Sequence, residues 1–299
     1  MKALVTGATG FVGGRLARAL VADGVGVRCL VRDGSRAESL AKLGCEVHEG
    51  DALRAESLFG MGDDVDVAYY LIHSMGRGGD ANFSEREQHA ARNFARTAKR
   101  EGIEQVVYLG GLGEPGSKHL WSRHETAVTL ASEGPPLTYF RAAMIVGASS
   151  ESFQTLLYLV KRLPVMIAPA WLRVCTQPIG IDDALAYLRS APLTPECRGR
   201  EVEIGGPDVL SYGDMLKVVA NELGRREPPM LPVPALTPWL SSLWIGLVTP
   251  VDAGVARPLI EGLSTETVVT DPSGAVAFDV EPRPFAETVR QALRENDTG

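Results

Sequence analysis

Residues 4–15, LVTGATGFVGGR, constrain this chain more than any other stretch. Ala3, Leu4 and Val5 form a short apolar run suited to a buried strand, and it breaks at Thr6 and Gly7. Beyond the break, Phe11, Val12, Leu16, Ala19 and Leu20 recur on one face of a helical pattern. Gly7, Gly10 and Gly13 fall three apart across the turn. Glycines so spaced permit a sharp turn, let a diphosphate approach the main chain, and let the helix pack close to the sheet. The unpaired N–H groups at the helix start then offer hydrogen bonds and partial positive charge to phosphates. Strand, glycine turn and amphipathic helix in that order are the context a dinucleotide-binding turn requires. A glycine-rich turn without a ligand is the alternative.

The spacing is T-G-x-x-G-x-x-G, and it resembles the short-chain dehydrogenase/reductase superfamily. TGATGFVG is most similar to its extended and atypical branches, which include sugar-nucleotide epimerases and NmrA-like proteins. The segments VRDGSRAESL, EGDALRAESL and YYLIHSMG resemble a bacterial group of NAD(P)H-binding proteins within that branch. The resemblance implies an α/β Rossmann fold, a doubly wound parallel sheet with NAD(H) or NADP(H) across its edge. It places Thr6, Gly7, Thr9, Gly10, Phe11, Val12 and Gly13 against the cofactor. Residues 1–150 are then the nucleotide-binding domain, and 151–299 a smaller substrate-facing lid region interleaved with it.

Composition narrows the class. The chain has 299 residues, 45% hydrophobic and 22% charged, enough for a sizeable core in one large unit or two domains. A net charge of −7 argues against a general nucleic-acid surface. Cys29, Cys45, Cys175 and Cys197 are far apart in sequence and read as free thiols in a reducing compartment, not as staples or metal ligands. No signal peptide precedes the first strand, so a cytoplasmic protein is expected.

A second apolar run, residues 27–31, ends at Arg32. In a dinucleotide fold this position faces the adenosine ribose, where an acidic residue holds the 2′-hydroxyl and an arginine pairs with a 2′-phosphate. Arg32 and Arg36 therefore favour NADP(H), while Asp33 is the rival that would favour NAD. After a helical stretch (35–43) and a strand (45–49), the resemblance gives Asp51 of the Gly50-Asp51 pair the adenine amino group, with Ala52 beside it. An N-cap role for Asp51, on a helix near 56–59, is the structural alternative. Residues 65–72, VDVAYYLI, read as a central parallel strand. Ligands sit beyond the carboxyl ends of such strands, so Leu71, Ile72, His73 and Ser74 should approach the middle of the cofactor. His73 could hold the ribose, act as acid or base, or bond only to backbone.

Residues 83–100 carry the clearest helical stripe, closed by Gly102, and 105–109 form the next strand. Catalytic members of the resembled superfamily follow that strand with a serine and a Tyr-x-x-x-Lys pair, whose lysine lowers the tyrosine pKa. Here Gly110 and Gly111 occupy the serine region, and Tyr108 lies within the strand. The family pattern puts His119 and Arg123 at the tyrosine and lysine places. Arginine does not tune a phenol by sharing its proton, though it can bind a ribose hydroxyl. His119 could serve as a weak acid, with Lys118 and His124 as further candidates. Tyrosine-dependent carbonyl chemistry is not supported.

In the second half, residues 137–142 read as a sixth strand, and the resemblance makes Ala143, Met144 and Ile145 lining residues of the nicotinamide. Arg141 forms an ion pair beside the site or at the core edge. Residues 151–162 form a helix, Gln177 is a candidate for the substrate cavity, and Ser211 is an N-cap. Residues 228–263 are rich in proline and tryptophan. The apolar run between Pro238 and Pro250 is too short to span a bilayer and carries no lysine or arginine, so membrane contact is not favoured. A lid over an apolar substrate is the functional reading of this segment.

Three functions compete at this point: an NADP(H)-dependent oxidoreductase with a small apolar substrate, a non-catalytic NADP(H) sensor read by a regulatory protein, and an epimerase of sugar nucleotides.

Overall fold

The computed structural model describes residues 1–72, 83–113, 118–163, 165–168, 170–232 and 265–298. Its centre is a seven-stranded sheet in the order β11-β6-β5-β4-β1-β2-β3, with every neighbouring pair parallel. The strands are β1 (Lys2–Thr6), β2 (Gly26–Val31), β3 (Glu46–Glu49), β4 (Val67–Tyr70), β5 (Gln105–Gly111), β6 (Leu137–Ala142) and β11 (Glu201–Ile204). The strand order reverses beside β1, where α/β sheets open a crevice at their carboxyl edge. The doubly wound expectation holds.

Local sequence explains the layers. β4 is buried along its whole length, as a central parallel strand covered on both faces must be. On one face, α1 (Phe11–Ala22) and α6 (Ile181–Ser190) pack Leu16, Leu20, Ala184 and Leu188 over Val5, Val107 and Phe140. On the other, α3 (Phe83–Arg100) and α4 (Lys118–Glu133) pack Phe94, Ala95 and Leu130 over Tyr70, Tyr108 and Tyr139. α3 ends as its glycine requires: Gly102 has φ +80°, and the Ile103 N–H reaches back to the Ala98 carbonyl.

The second half builds its own apolar cluster from α5 (Glu151–Arg162), α7 (Tyr212–Glu222) and α8 (Phe285–Thr298). Short strand pairs support it: β7 (Ile145–Val146) with β10 (Ile179–Gly180), β8 (Met166–Ala168) with β13 (Met230–Pro232), and β9 (Cys175–Thr176) with β12 (Leu210–Ser211). Ser211 caps α7, accepting from the Asp214 N–H at 3.1 Å. The chain also returns to the main sheet, because β11 pairs with β6 and α6 lies on α1. Most of the proline- and tryptophan-rich segment lies outside the described residues.

Several boundaries differ from the sequence expectation. The helix expected at 35–43 is a 3-10 turn (Gly34–Ala37) followed by the one-turn α2 (Glu38–Ala41). The helix near 56–59 is the 3-10 turn Ala55–Leu58, whose N-cap is Arg54. Asp51 is therefore not that cap; its Oδ1 accepts from the Leu53 N–H at 3.0 Å, closing a turn two residues on. The cysteines are free thiols, as the sequence suggests; Cys29 and Cys45, distant in sequence, lie close enough for their thiols to interact, and both are buried.

Candidate functional site

The β1–α1 turn is shaped by its glycines. Gly7 sits at φ +63°, and a Cβ there would lie 2.4 Å from the Leu71 carbonyl oxygen, so both conformation and space demand glycine. A Cβ on Gly13 would lie 2.3 Å from the Gly7 carbonyl oxygen, which accepts from the Gly10 N–H at 2.9 Å. Gly10 is the N-cap of α1, extended and with no side-chain cap, so the first N–H groups of the helix have no side-chain acceptor. Thr9 and Gly10 are exposed, and Phe11 and Val12 half-buried. Thr6 is fully buried, its Oγ1 accepting from the Leu71 N–H at 2.9 Å, which ties the carboxyl ends of β1 and β4 together. Leu71 and Ile72 follow β4 into this same crevice, half-buried. His73 lies outside the described residues.

At the end of β2, Arg32 and Arg36 are both exposed. Among the described residues, no hydrogen bond or ion pair holds Arg32. Asp33 is engaged: its Oδ1 accepts from the Ser35 N–H at 3.0 Å and from the Ser35 hydroxyl at 2.7 Å. These bonds, with the Arg36 charge nearby, hold the Asp33 carboxyl below its ordinary pKa. Sequence reasoning passed over Ser35; the signal was the D-x-S spacing, in which an aspartate accepts from the residue two further on. Across β3, Asp51 is half-buried, and buried Ala52 gives its carbonyl to Asn93 Nδ2 of α3 at 2.9 Å.

At the other end of the crevice stands the β5–α4 junction. Tyr108 is buried within β5; its hydroxyl donates to the Arg123 carbonyl at 3.3 Å, and burial holds its pKa well above the usual phenol value. Tyr139 stacks on it with ring centroids 5.2 Å apart, and burial pushes its pKa up to about 12 against the opposing charge of Arg141. Neither phenol is placed to exchange a proton at neutral pH. Gly110 lies beneath the Tyr139 ring, where a Cβ would fall 2.7 Å from a ring carbon. A Cβ on Gly111 would lie 2.5 Å from Leu120 Cδ2 and 3.1 Å from an Arg123 guanidinium nitrogen. A side chain at either position would have to displace the Tyr139 ring, Leu120 or Arg123, and Arg123 reaches the strand end. His119 occupies the first turn of α4, and its side chain lies outside what the structure describes.

Arg141, half-buried, fixes this end. It donates to the Gly111 carbonyl at 3.2 Å and to the Gly113 carbonyl, and pairs with Glu201 at 2.6 Å and Glu203 at 3.3 Å. Glu203 in turn accepts from the Thr270 and Asp271 N–H groups. Gln177 is engaged at both ends of its amide: it donates to the Gly206 carbonyl at 2.7 Å and accepts from the Val269 N–H at 3.0 Å. Ala143, Met144 and Ile145 are half-buried, with the Met144 carbonyl taken by the Ile179 N–H and that of Ile145 by the Ser150 hydroxyl. Two residues on, a Cβ at Gly147 would lie 2.8 Å from the Phe11 ring, so this turn abuts the start of α1. No cluster suited to a metal ion occurs among the described residues.

Residues 7–133 match the profile of a family described as NAD(P)H-binding. The match spans less than half of the chain. The uncapped glycine turn and the arginine-bearing end of β2 both lie inside it. Over 118 residues the chain is 32% identical to sterol demethylase protein B of Methylococcus capsulatus, a match covering 39% of this chain but only 36% of that protein. The whole fold is similar to the triphenylmethane reductase of Citrobacter sp. (TM-score 0.78, 17% identity, 98% of this chain and 100% of that one). It is also similar to an NADPH-dependent quinone oxidoreductase of Escherichia coli (TM-score 0.73, 17% identity, 98% and 100%). A nucleoside-diphosphate-sugar epimerase of Staphylococcus aureus has TM-score 0.76 at 15% identity, over 97% and 100%. At these identities the likeness is one of fold. No helix among the described residues is long and apolar enough to cross a membrane.

Proposed function

We propose that this NAD(P)H-binding chain is an NADP(H)-dependent oxidoreductase acting on a small apolar substrate without a Ser-Tyr-Lys triad. The observation that carries it is the β5–α4 junction, where Gly110 and Gly111 stand in the serine region and the neighbouring Tyr108 and Tyr139 phenols are buried within the sheet. A reaction at this site must therefore depend on positioning, with the reduced nicotinamide supplying a hydride to an acceptor that needs no protein-bound phenol. Triphenylmethane reductase and the quinone oxidoreductase are named for conjugated acceptors of that kind, and sterol demethylase protein B for an apolar one.

In this reading the turn from Thr6 to Gly13 holds the diphosphate, and Asp51 and Ala52 border the adenine. Leu71, Ile72 and the 143–145 turn line the nicotinamide half. Arg32 and Arg36 take the 2′-phosphate, supported by an Arg32 that has no partner among the described residues and by an Asp33 carboxylate drawn toward Ser35. Arg123 anchors a hydroxyl or carbonyl oxygen at the β5 end; His119 and His73 are the remaining candidates for proton transfer.

The test is calorimetric titration with NADPH, NADP⁺, NADH and NAD⁺, followed by NADPH oxidation with quinones, triarylmethane dyes and enones. Tight NADPH binding with turnover supports the enzyme. Tight binding with no turnover on the panel, and a protein partner captured with only one redox form, supports the sensor, which rests on the same missing phenol.

A further inference from the structure

We propose that Ser35 is a cofactor-selecting latch: by holding the Asp33 carboxylate in its own turn, it keeps that charge off the adenosine ribose and leaves the position to Arg32. The inference rests on the NADP(H) reading above and deepens it.

The end of β2 carries two side chains of opposite preference in sequence. Arg32 suits a 2′-phosphate; Asp33, exposed and one residue on, suits a free 2′,3′-diol. Both cannot act on one ribose, because a carboxylate that accepts from a 2′-hydroxyl repels a phosphate there. The structure separates them. Both bonds from Ser35, the N–H at 3.0 Å and the hydroxyl at 2.7 Å, converge on the same oxygen, Asp33 Oδ1. Backbone reinforces the turn, since the Arg36 N–H donates to the Asp33 carbonyl at 3.2 Å. Asp33 is the N-cap of the 3-10 turn Gly34–Ala37, its carboxylate facing along that turn while Arg32 has no tie among the described residues. The Ser35 hydroxyl is the one removable part of this arrangement, because the N–H bond persists with any residue but proline at position 35. Ser35 is therefore a positioning residue, acting through Asp33, and its deletion should move the choice of nucleotide and leave the fold intact.

The experiment is a double-mutant cycle on the full chain, with dissociation constants for NADPH and NADH measured by calorimetry for the wild type, Ser35→Ala, Asp33→Ala and the double variant. Thermal unfolding is followed in parallel. Ser35→Ala is expected to narrow the NADPH-to-NADH preference at least fivefold, mostly by a gain in NADH affinity, with an unfolding midpoint close to wild type. Ser35→Thr, which restores a hydroxyl, should restore the preference. In the Asp33→Ala background, adding Ser35→Ala should change the ratio less than twofold. A ratio unmoved by Ser35→Ala overturns the latch, as does a shift of equal size with and without Asp33. Failure of the wild type to bind either nucleotide would instead remove the cofactor reading, and the latch with it.

Discussion

The two ends of the crevice are built on different principles. At the nucleotide end, backbone does the work: Gly7, Gly10 and Gly13 bring main chain against main chain, and the first turn of α1 is left without a side-chain cap. At the β5–β6 end, side chains do it. Arg141 gathers the carbonyls of Gly111 and Gly113, Glu203 gathers the N–H groups of Thr270 and Asp271, and Gln177 spans Gly206 and Val269. Backbone cradles accept a ligand part common to many proteins, whereas side-chain networks can vary with each substrate. The contrast fits a family match that spans the glycine turn and stops before Arg141.

That contrast can be broken most directly at its glycines. Gly7→Ala should abolish measurable nucleotide binding and cost about 2 kcal/mol or more, since it combines a left-handed φ with a backbone clash. Gly110→Ala meets a Tyr139 ring edge, which can shift, so calorimetry should find NADPH affinity within about threefold of wild type. Equal losses at the two glycines would dissolve the distinction.

The next effect is one of selectivity. Arg32→Ala should weaken NADPH binding about 10- to 100-fold, the worth of one charge-assisted hydrogen bond, with NADH changed far less. Equal losses for both nucleotides would remove the phosphate contact. At the opposite end, Arg141→Met strands the Gly111 and Gly113 carbonyls and should lower stability by about 1–3 kcal/mol in a denaturant titration. Hydrogen exchange should rise in residues 111–113, with 2′,5′-ADP binding unaffected.

Smallest is a shared response to pH. Burial raises the pKa of Cys29 beneath the nucleotide end and of Tyr108 and Tyr139 beneath the other. These groups stay neutral in the folded state, so their contribution is complete below the unfolded values, near 9 for the thiol and 10 for the phenols, and is lost as pH rises beyond them. Denaturant midpoints should thus fall above about pH 9. At pH 8 a disulfide reagent should reach half-buried Cys175 well before buried Cys29 or Cys197.

Legibility in the sequence follows the same division. The β1–α1 turn could be read because glycine has few reasons to recur every third residue between a strand and a helix. α3 could be read because its apolar stripe is long, and its bounds match residue for residue. The hydrogen bonds of Gln177 and Asp51 were not legible, since a polar side chain near a site also serves the nearest unpaired N–H, and only the three-dimensional path shows which; Asp51 closes its own turn instead of capping the 3-10 turn at 55–58. Gln177 meets Val269 across 92 positions, a distance no local pattern encodes. The proximity of Cys29 to Cys45 escaped for that reason too, since the parallel pairing of β2 with β3 sets Cys29 opposite Val47 and brings the residue just before β3 near it.

The position of β11 has a consequence for any shortened form of the protein. Residues 201–204 seal the outer flank of β6 by parallel pairing, although the chain passes through most of the second half before reaching them. A polypeptide stopped near residue 150 would contain the whole nucleotide turn yet leave the N–H and C=O row of Tyr139–Ala142 open, a template for joining a second molecule. Such a fragment should self-associate through that flank. A synthetic strand carrying Glu201–Ile204 should restrain it.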